Sequence, residues 1–174
     1  MKAIGRLLIR FFDRLFALAL VLAQMLLVGM VVLITVNVVM RYVFNSGIFW
    51  AEEISLVMAV WFSFIAMALG VRKNLHISIH LFRDLPVWLD KALTILKGIA
   101  ELLVGYVLLR YGAILVQFTS RSIMPATELP SSVLYVILPF AAVLIVYEAV
   151  TDLLGHDTDA SARAADLAEE PIDA

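Results

Sequence analysis

Residues 15–40 read LFALALVLAQMLLVGMVVLITVNVVM, a run of 26 residues without a charged side chain. An α-helix rises about 1.5 Å per residue, so this run predicts a helix about 39 Å long. The hydrocarbon layer of a bilayer is only about 30 Å thick, and we therefore expect tilt or an interfacial overhang. The preceding Lys2, Arg6, Arg10 and Arg14 resemble the basic region of a signal peptide. The apolar run is too long for a cleaved signal, which indicates a retained anchor.

The composition of the whole chain is that of an integral membrane protein. Of its 174 residues, 63% are hydrophobic and 16% are charged, whereas soluble domains are about half apolar and about a quarter charged. The net charge of −2 gives no reason to expect nucleic acid as a partner. The chain has no cysteine, which excludes disulfides, cysteine-ligated Fe–S clusters and thiol catalysis.

Three further apolar segments follow the first, and none of them alternates as a strand would. We predict spans at about residues 15–40, 50–71, 99–118 and 131–154. The third lies inside a longer helical pattern that starts near Pro86, so that residues 86–98 form an amphipathic interfacial helix before it. The predicted fold is therefore an all-α membrane domain of four transmembrane helices over residues 15–154.

Lysine and arginine in the connections predict the orientation, because cytoplasmic connections are enriched in these residues. Nine of them lie on one side, in the N-terminal segment, the 72–91 connection and the C-terminal tail. Only Arg41 and Arg121 lie on the other side. We therefore expect both termini to be cytoplasmic and residues 41–49 and 119–130 to face outward.

The two ends of the chain are predicted to lie outside the membrane domain. Residues 1–14 form a basic cytoplasmic N-terminus in this interpretation. Residues 155–174 are rich in alanine and acidic side chains and have little to bury, which is typical of a disordered cytoplasmic tail.

Small residues line one face of the second and third predicted spans, and small residues let neighbouring helices approach closely. On the second span they fall within about 60° of Glu52 on a helical wheel and are Ser55, Ala59, Ser63, Ala66 and Gly70. On the third they recur every seven residues, at Gly98, Gly105 and Gly112. We expect both sets to pack helices together. The opposite face of the second span, which contains Ile54, Met58, Trp61 and Ile65, is bulky and predicted to face lipid or a partner.

Polar residues cluster where the first span meets the second. Asn37, Arg41 and Asn45 are one turn apart on a single face, and they face Glu52 and Glu53 across a short bend. Acidic residues suit the dipole at a helix N-terminus. We predict that Arg41 and Glu52 hold the bend. Glu53 points about 100° away from Glu52 on the wheel, and we predict that it meets a partner.

A charged residue near the centre of a span also predicts a partner. Arg110 lies near the middle of the third span, where a charge is costly without an acceptor from another helix or a locally thinned membrane. We favour a protein partner. In the outward connections, Trp50, Arg121 and Glu128 are further predicted partner contacts, and Trp50 also suits the aromatic belt.

Two other features lie inside the predicted spans. Pro139 leaves the carbonyl of Tyr135 without an intrahelical donor, which predicts a kink in the fourth span. Lys97 and Glu101 are one turn apart, so they have the spacing of an ion pair.

The chain lacks the usual features of a transporter, redox protein or enzyme that works without other subunits. A coupled ion transporter usually needs a membrane carboxylate or paired repeats, but no Asp or Glu falls near a span centre and no internal repeat is visible. A haem-binding subunit needs histidine inside its spans, whereas His76, His80 and His156 lie outside them. No nucleophile–base set or phosphate loop appears. We predict a scaffold or accessory component that is not an enzyme and has no cofactor or metal; a surface metal site at His76 and His80 is the alternative.

Several motifs resemble a known family. They are NVVMRYVFN at residues 37–45, WAEE at 50–53, VRKNLHISI at 71–79, ELP at 128–130 and YVILP at 135–139. With them, most of residues 10–150 resembles the small membrane subunit, of DctQ type, of tripartite ATP-independent periplasmic (TRAP) transporters. Arg72, Lys73 and His76 belong to the cytoplasmic-loop motif of this resemblance. The chain departs from the family pattern at Ser46-Gly47, where proline often follows the asparagine, and at His80, where an acid is common.

The resemblance implies a secondary transporter of three components in the bacterial inner membrane. A periplasmic solute-binding protein of DctP type captures an organic anion, a carboxylate or sugar acid. A large membrane subunit of DctM type carries the substrate and ion sites. The small subunit is then a non-catalytic scaffold that braces the large one and helps dock the binding protein. Two alternatives stay open: a homo-oligomeric channel or exporter with Arg110 along an anion path, and a membrane-bound redox or assembly factor.

Overall fold

The computed structural model of the chain describes residues 2–72 and 87–153, with side chains described over residues 9–72 and 95–153. Three predicted features therefore lie outside the described residues. They are the loop-motif residues Lys73 and His76, the alternative metal pair of His76 and His80, and the acidic tail at 155–174.

Five helices make up the described structure. They are α1 (Lys2–Val43), α2 (Ala51–Arg72), α3 (Val87–Thr119), α4 (Ser132–Tyr135) and α5 (Ile137–Leu153). Four stretches are long and apolar enough to cross a membrane: Ile9–Val43, Ala51–Arg72, Ile95–Thr119 and Ser132–Leu153. The described residues contain no strand, and the predicted all-α fold with four spanning helices is confirmed.

The first helix is longer than the sequence analysis predicted, and the third has the length predicted for its longer helical pattern. The first begins at Lys2, so the basic N-terminal segment continues directly into the first span. The third begins at Val87, directly after Pro86, so the segment predicted as interfacial and the third span form one helix of 33 residues. The reason is local: neither α1 nor α3 contains a proline that would interrupt its hydrogen bonds.

The fourth span is interrupted where the kink was predicted. One helical piece ends at Tyr135, the next begins at Ile137, and Val136 lies between them. Pro139 has no N–H to donate to the carbonyl of Tyr135. The interruption places Pro139 in the first turn of α5, where a helix requires no N–H donor.

The helices pack in the order α1, α2, α5, α3, so that α2 and α5 are central and α1 and α3 lie outside. We call the end that carries residues 44–50 and 120–131 the connection end. The opposite end, where Asp13, Arg72 and Leu153 lie, is the terminal end. Most large side chains of α1 are exposed, and those of α3 that turn away from α5 are exposed as well. These surfaces suit lipid or other membrane helices.

The three glycines of α3 form its contact with α5. A Cβ atom at Gly98 would lie 2.8 Å from Leu153 Cγ, and one at Gly105 would lie 2.5 Å from Val146 Cγ2. A Cβ at Gly112 would lie 2.9 Å from Leu138 Cβ. Each contact is tighter than side chains ordinarily tolerate. The two helices approach this closely because glycine leaves room for the facing side chain.

The faces of α2 differ from the prediction. Ser55 and Gly70 of the small-residue stripe are buried, Ala59 and Ala66 are half-buried, and Ser63 is exposed. The bulky face predicted to meet lipid or a partner instead packs inside the chain. Ile65 is fully buried in the core with residues of α1 and α5, and Trp61 donates a hydrogen bond to the carbonyl of Val133 at 2.9 Å. Both faces of α2 thus contribute to packing, because α2 lies between α1 and α5.

The glycine contacts predict a difference between two alanine substitutions. Gly112→Ala adds a methyl group against Leu138 Cβ and the ring of Pro139 at 3.3 Å, atoms that cannot rotate away. We expect it to destabilise the domain by about 1–3 kcal/mol through overpacking. The measurement is thermal stability of the purified protein in detergent.

The matched control is Gly29→Ala in α1. A Cβ there would lie 3.6 Å from the flexible terminus of Met58, an ordinary van der Waals distance. We expect wild-type or slightly higher stability, because alanine favours a helix over glycine by about 1 kcal/mol. Equal stability of the two variants would contradict the close approach of α3 and α5.

Candidate functional site

The bend after α1 is closed by asparagine side chains and the backbone. Asn37 Oδ1 accepts a hydrogen bond from the N–H of Ile48 at 2.8 Å. Asn45 adopts a positive φ of 49°, a left-handed conformation that asparagine tolerates better than most residues. The N–H of Ser46 then bonds the carbonyl of Met40 at 3.1 Å. These bonds end the helix and turn the chain back toward α2.

The predicted pairing of Arg41 with Glu52 is wrong. Both residues are exposed, and the ion pairs among the described residues do not include one between them. Arg41 instead contributes its aliphatic stem, since a Cβ at Gly47 would lie 3.6 Å from Arg41 Cβ. The bend needs no ion pair because Asn37 and the backbone already satisfy its polar groups.

The 120–131 connection is a compact loop with its own hydrogen bonds. The N–H of Met124 bonds the carbonyl of Leu129 at 2.9 Å, and the N–H of Ser131 bonds the carbonyl of Ser122 at 2.8 Å. Glu128 has a positive φ of 56°, and its N–H bonds the carbonyl of Met124 at 3.0 Å. A glutamate in this conformation is uncommon, so the surrounding bonds hold the loop in one shape.

Glu53 joins the start of α2 to the second connection. Its carboxylate accepts hydrogen bonds from the N–H of Ala126 at 2.9 Å and from the N–H and hydroxyl of Thr127, both at 2.8 Å. These bonds give Glu53 a structural role within the chain that the sequence analysis did not predict, and its contact with an external partner stays a prediction. Bonds to a carboxylate are stronger than those between neutral groups. We call residues 44–50 and 120–131, with Glu53 between them, the joined-loop surface.

The joined-loop surface presents aromatic and charged side chains outward. Arg41 and Trp50 border it from the first connection, and Arg121 and Glu128 from the second; all four are exposed. The large apolar side chains that are also exposed there are Tyr42, Phe44, Phe49, Ile123 and Leu129. Exposed aromatic residues next to charges are typical of surfaces that bind a protein. Within the described part of the chain, no group of three or more Asp, Glu or His side chains is placed to hold a metal ion.

The terminal end is held by ion pairs. Arg72 donates to Asp13 at 2.6 Å and lies 4.3 Å from the centroid of the Phe16 ring, so α1 and α2 are tied by an ion pair and a cation–π contact. The sequence analysis counted the basic residues before the first span and overlooked Asp13. A lone acid in a basic segment is the signal that would have found the pair.

A second set of charges ties α3 to α5. Lys97 Nζ lies 3.6 Å from Glu101, the predicted partner, and 3.1 Å from Asp152 of α5. The shorter contact is the interhelical one, which sequence spacing within one helix does not show. Glu148 of α5 is also almost fully buried at this end. Charged groups in an apolar environment are tolerated only when they have partners. The need to keep these partners together fixes the relative position of the helices.

Arg110 has no such tie. Its side chain is exposed on the outer face of α3, about 160° around the helix from Gly112, and it forms no ion pair with another described residue. Any acceptor for its guanidinium must therefore come from outside the described part of the chain.

Comparison with known proteins assigns the family. Residues 30–158 match the family described as tripartite ATP-independent periplasmic transporters, DctQ component. The chain belongs to this DctQ family. It is similar to two putative TRAP transporter small permease proteins of Haemophilus influenzae. One is 30% identical over 77% of this chain and 84% of the relative, and the other is 32% identical over 70% and 74%.

A third relative is a C4-dicarboxylate TRAP transporter small permease protein DctQ of Vibrio cholerae, 31% identical over 49% of this chain and 37% of that protein. The DctQ match includes the whole joined-loop surface, Arg72 and Arg110 but not Asp13. The chain is thus a multi-pass membrane protein and a transporter component, and membership of this family implies a complex with other TRAP components.

The three bonds to Glu53 predict a local effect of Glu53→Gln. An amide side chain has one acceptor oxygen in place of two charged ones, so the loop loses at least one anchor. We expect the backbone amides of Ala126 and Thr127 to exchange hydrogen on the order of tenfold faster. Hydrogen exchange read by mass spectrometry of peptides covering residues 120–131 measures this.

Glu52→Gln is the matched control, because Glu52 is the neighbouring carboxylate and is exposed. It should leave the exchange of these peptides unchanged. Equal protection in Glu53→Gln and wild type would show that the carboxylate does not anchor the loop.

Proposed function

We propose that this chain is a non-catalytic scaffold subunit of a TRAP-type secondary transporter in the bacterial inner membrane. The transporter imports an organic anion, a carboxylate or sugar acid, using an ion gradient. The chain braces the DctM-type large membrane subunit and holds the joined-loop surface toward the periplasm, where it helps dock the DctP-type binding protein. The observation that carries the proposal is the Glu53 carboxylate, which ties the 120–131 connection to the start of α2, next to the 44–50 connection.

The interior of the domain supports a scaffold rather than a transport path. Its buried core is mostly aliphatic and rich in alanine, and the buried charges of the described residues lie near the terminal end. One open cleft lies between α1 and α2 and is lined by apolar side chains apart from Gln24. A path for ions needs a series of polar groups across the membrane. A rigid support needs only close packing.

The distribution of basic residues supports cytoplasmic termini. Arg10, Arg14, Arg72 and Lys97 lie toward the terminal end, whereas Arg41 and Arg121 are at the connection end. Since the chain has no cysteine, introduced cysteines test the orientation. Ser46→Cys and Pro125→Cys should react with an impermeant maleimide added to spheroplasts, and Arg10→Cys should react only after the membrane is opened. The reverse pattern would invert the proposed orientation.

If the joined-loop surface helps dock the binding protein, substrate uptake should depend on the shape of that surface. Glu53→Ala frees the 120–131 loop, and Arg41→Ala removes an exposed charge at its border. We expect the double variant to lower binding-protein-dependent uptake on the order of tenfold, as loss of interface contacts usually does. Co-purification with the large subunit should persist, because the substitutions lie at the connection end and leave the membrane-embedded faces intact.

The measurement is substrate uptake by vesicles that contain both membrane subunits, with purified binding protein added. Glu52→Gln is the control and should behave as wild type. Wild-type uptake by the double variant would contradict the proposed docking role.

The alternative is a homo-oligomeric channel or exporter in which the exposed mid-span Arg110 lines an anion path. Reconstitution of the purified chain alone separates the two functions. A scaffold gives no flux of organic anions without its partners, whereas a channel or exporter gives flux that depends on Arg110.

A further inference from the structure

By its position along α3, Arg110 lies near the middle of the apolar span Ile95–Thr119. Glu101 and Thr119 lie nine residues to either side of Arg110, and the other residues between them are apolar or aromatic except for Gln117 near the Thr119 end. At about 1.5 Å per residue, each lies about 14 Å along the axis. That distance is longer than an arginine side chain, so the guanidinium cannot reach either membrane surface by extending along the helix.

The packing against α5 gives the same depth independently. The two glycines on either side of Arg110 along α3 contact α5: Gly105 faces Val146 and Gly112 faces Leu138. Those two residues bracket the middle of the Ser132–Leu153 span. Arg110 is therefore level with the centre of the neighbouring span as well as of its own.

The side chains around Arg110 form a continuous outward face. Leu103, Tyr106 and Gln117 lie within about 40° of Arg110 on the helix, and each is exposed. Tyr106, one turn from Arg110, is 62% exposed. We call these four residues the Arg110 face. It places a hydroxyl, a guanidinium and an amide on one line along a helix that faces away from the rest of the chain.

A second copy of this chain cannot supply the counter-charge. The acidic residues nearest the apolar spans are Asp13, Glu52, Glu53, Glu101, Glu128, Glu148 and Asp152, all of them at span ends or in a connection. A symmetric dimer through this face would also bring Arg110 toward another Arg110, and like charges repel. Charge complementarity therefore points to a different membrane protein.

We propose that the Arg110 face is the site at which this chain binds a transmembrane helix of the large subunit, and that this helix offers a carboxylate to Arg110 at mid-membrane depth. The proposal rests on the proposed function, since it assigns the surface through which the scaffold is attached. Arginine suits this role because its planar fork can donate two parallel hydrogen bonds to one carboxylate. In hydrocarbon, the ion pair removes the cost of an uncompensated charge on each partner. The pair therefore determines which helix binds and how that helix is shifted along α3.

The first test is substitution of Arg110 in the complete complex, with the amount of large subunit that co-purifies with the tagged chain as readout. Arg110→Leu should lower co-purification by at least about tenfold, as expected when one member of a buried charge pair is lost. Arg110→Lys keeps the charge without the fork and should retain more of the large subunit than Arg110→Leu. If Arg110 faces lipid, Arg110→Leu removes a costly charge and co-purification stays at the wild-type level or rises, which would overturn the proposal.

A folding defect is separated by the purified chain alone. Arg110 is exposed and forms no ion pair with a described residue, so Arg110→Leu should leave its thermal stability unchanged. A stability loss in the isolated chain that accounts for the lost complex would count against the proposal, because it would place the acceptor of Arg110 within the chain itself.

The second test locates the partner directly. Tyr106→Cys and Gln117→Cys introduce a single thiol each into a cysteine-free chain, and both can carry a benzophenone for photocrosslinking in membranes. Adducts with the large subunit are expected from both positions. Tyr111→Cys is the matched control, being exposed at nearly the same depth but about 100° around the helix, and should give much less adduct.

Adducts only with lipid or with a second copy of this chain would overturn the proposal. Failure of the proposed function and failure of the inference about the Arg110 face give different results. If the wild-type chain does not co-purify with the large subunit, the proposed function fails. If it does, but the Arg110 variants and crosslinks show no preference for this face, only the present inference fails.

Discussion

The structure depends on one constraint: hydrocarbon supplies neither hydrogen bonds nor a hydrophobic force between helices. Helices that are apolar all round need some other reason to associate. In this chain the reason is close approach, through the glycines of α3 against α5 and the alanines of α1, α2 and α5 in the shared core. The dispersion energy of such contacts is small per atom pair, so it accumulates only where small residues let long stretches of two helices touch.

Close apolar packing does not by itself fix how far each helix is shifted along its neighbour. Polar contacts fix this register. At the terminal end, Arg72 with Asp13 and Lys97 with Asp152 join helices pairwise across the bundle. At the connection end, Glu53 and Trp61 reach from α2 to the chain around α4. Each helix pair is thus fixed at an end as well as along its length. These contacts define the two ends more closely than apolar packing alone would, and such preorganisation lowers the ordering that the proposed docking would require.

The fold was predictable from the sequence because its signals are local. Uninterrupted apolar runs gave the four spans, Pro139 indicated the interruption near Tyr135, and the seven-residue spacing of the α3 glycines indicated a packing face. The contacts of the site were not predictable, because they join residues far apart in the chain. Glu53 bonds a loop more than 70 positions away, and helical-wheel geometry says where a side chain points but not what stands opposite. The same limit applies to α2, whose bulky face was predicted to meet lipid or a partner and instead packs inside the chain together with part of the small-residue stripe.

The distribution of charge separates residues that shape the domain from those that connect it to others. The buried charges described at the terminal end lie among charges of the same chain, and the Glu53 carboxylate is occupied by loop donors. Arg110 combines mid-membrane depth with an outward direction and no ion pair to another described residue. Its cost in lipid is high enough that an unpaired arginine there would weaken membrane insertion. The proposed association with a helix of opposite charge is a circumstance in which the residue is favourable.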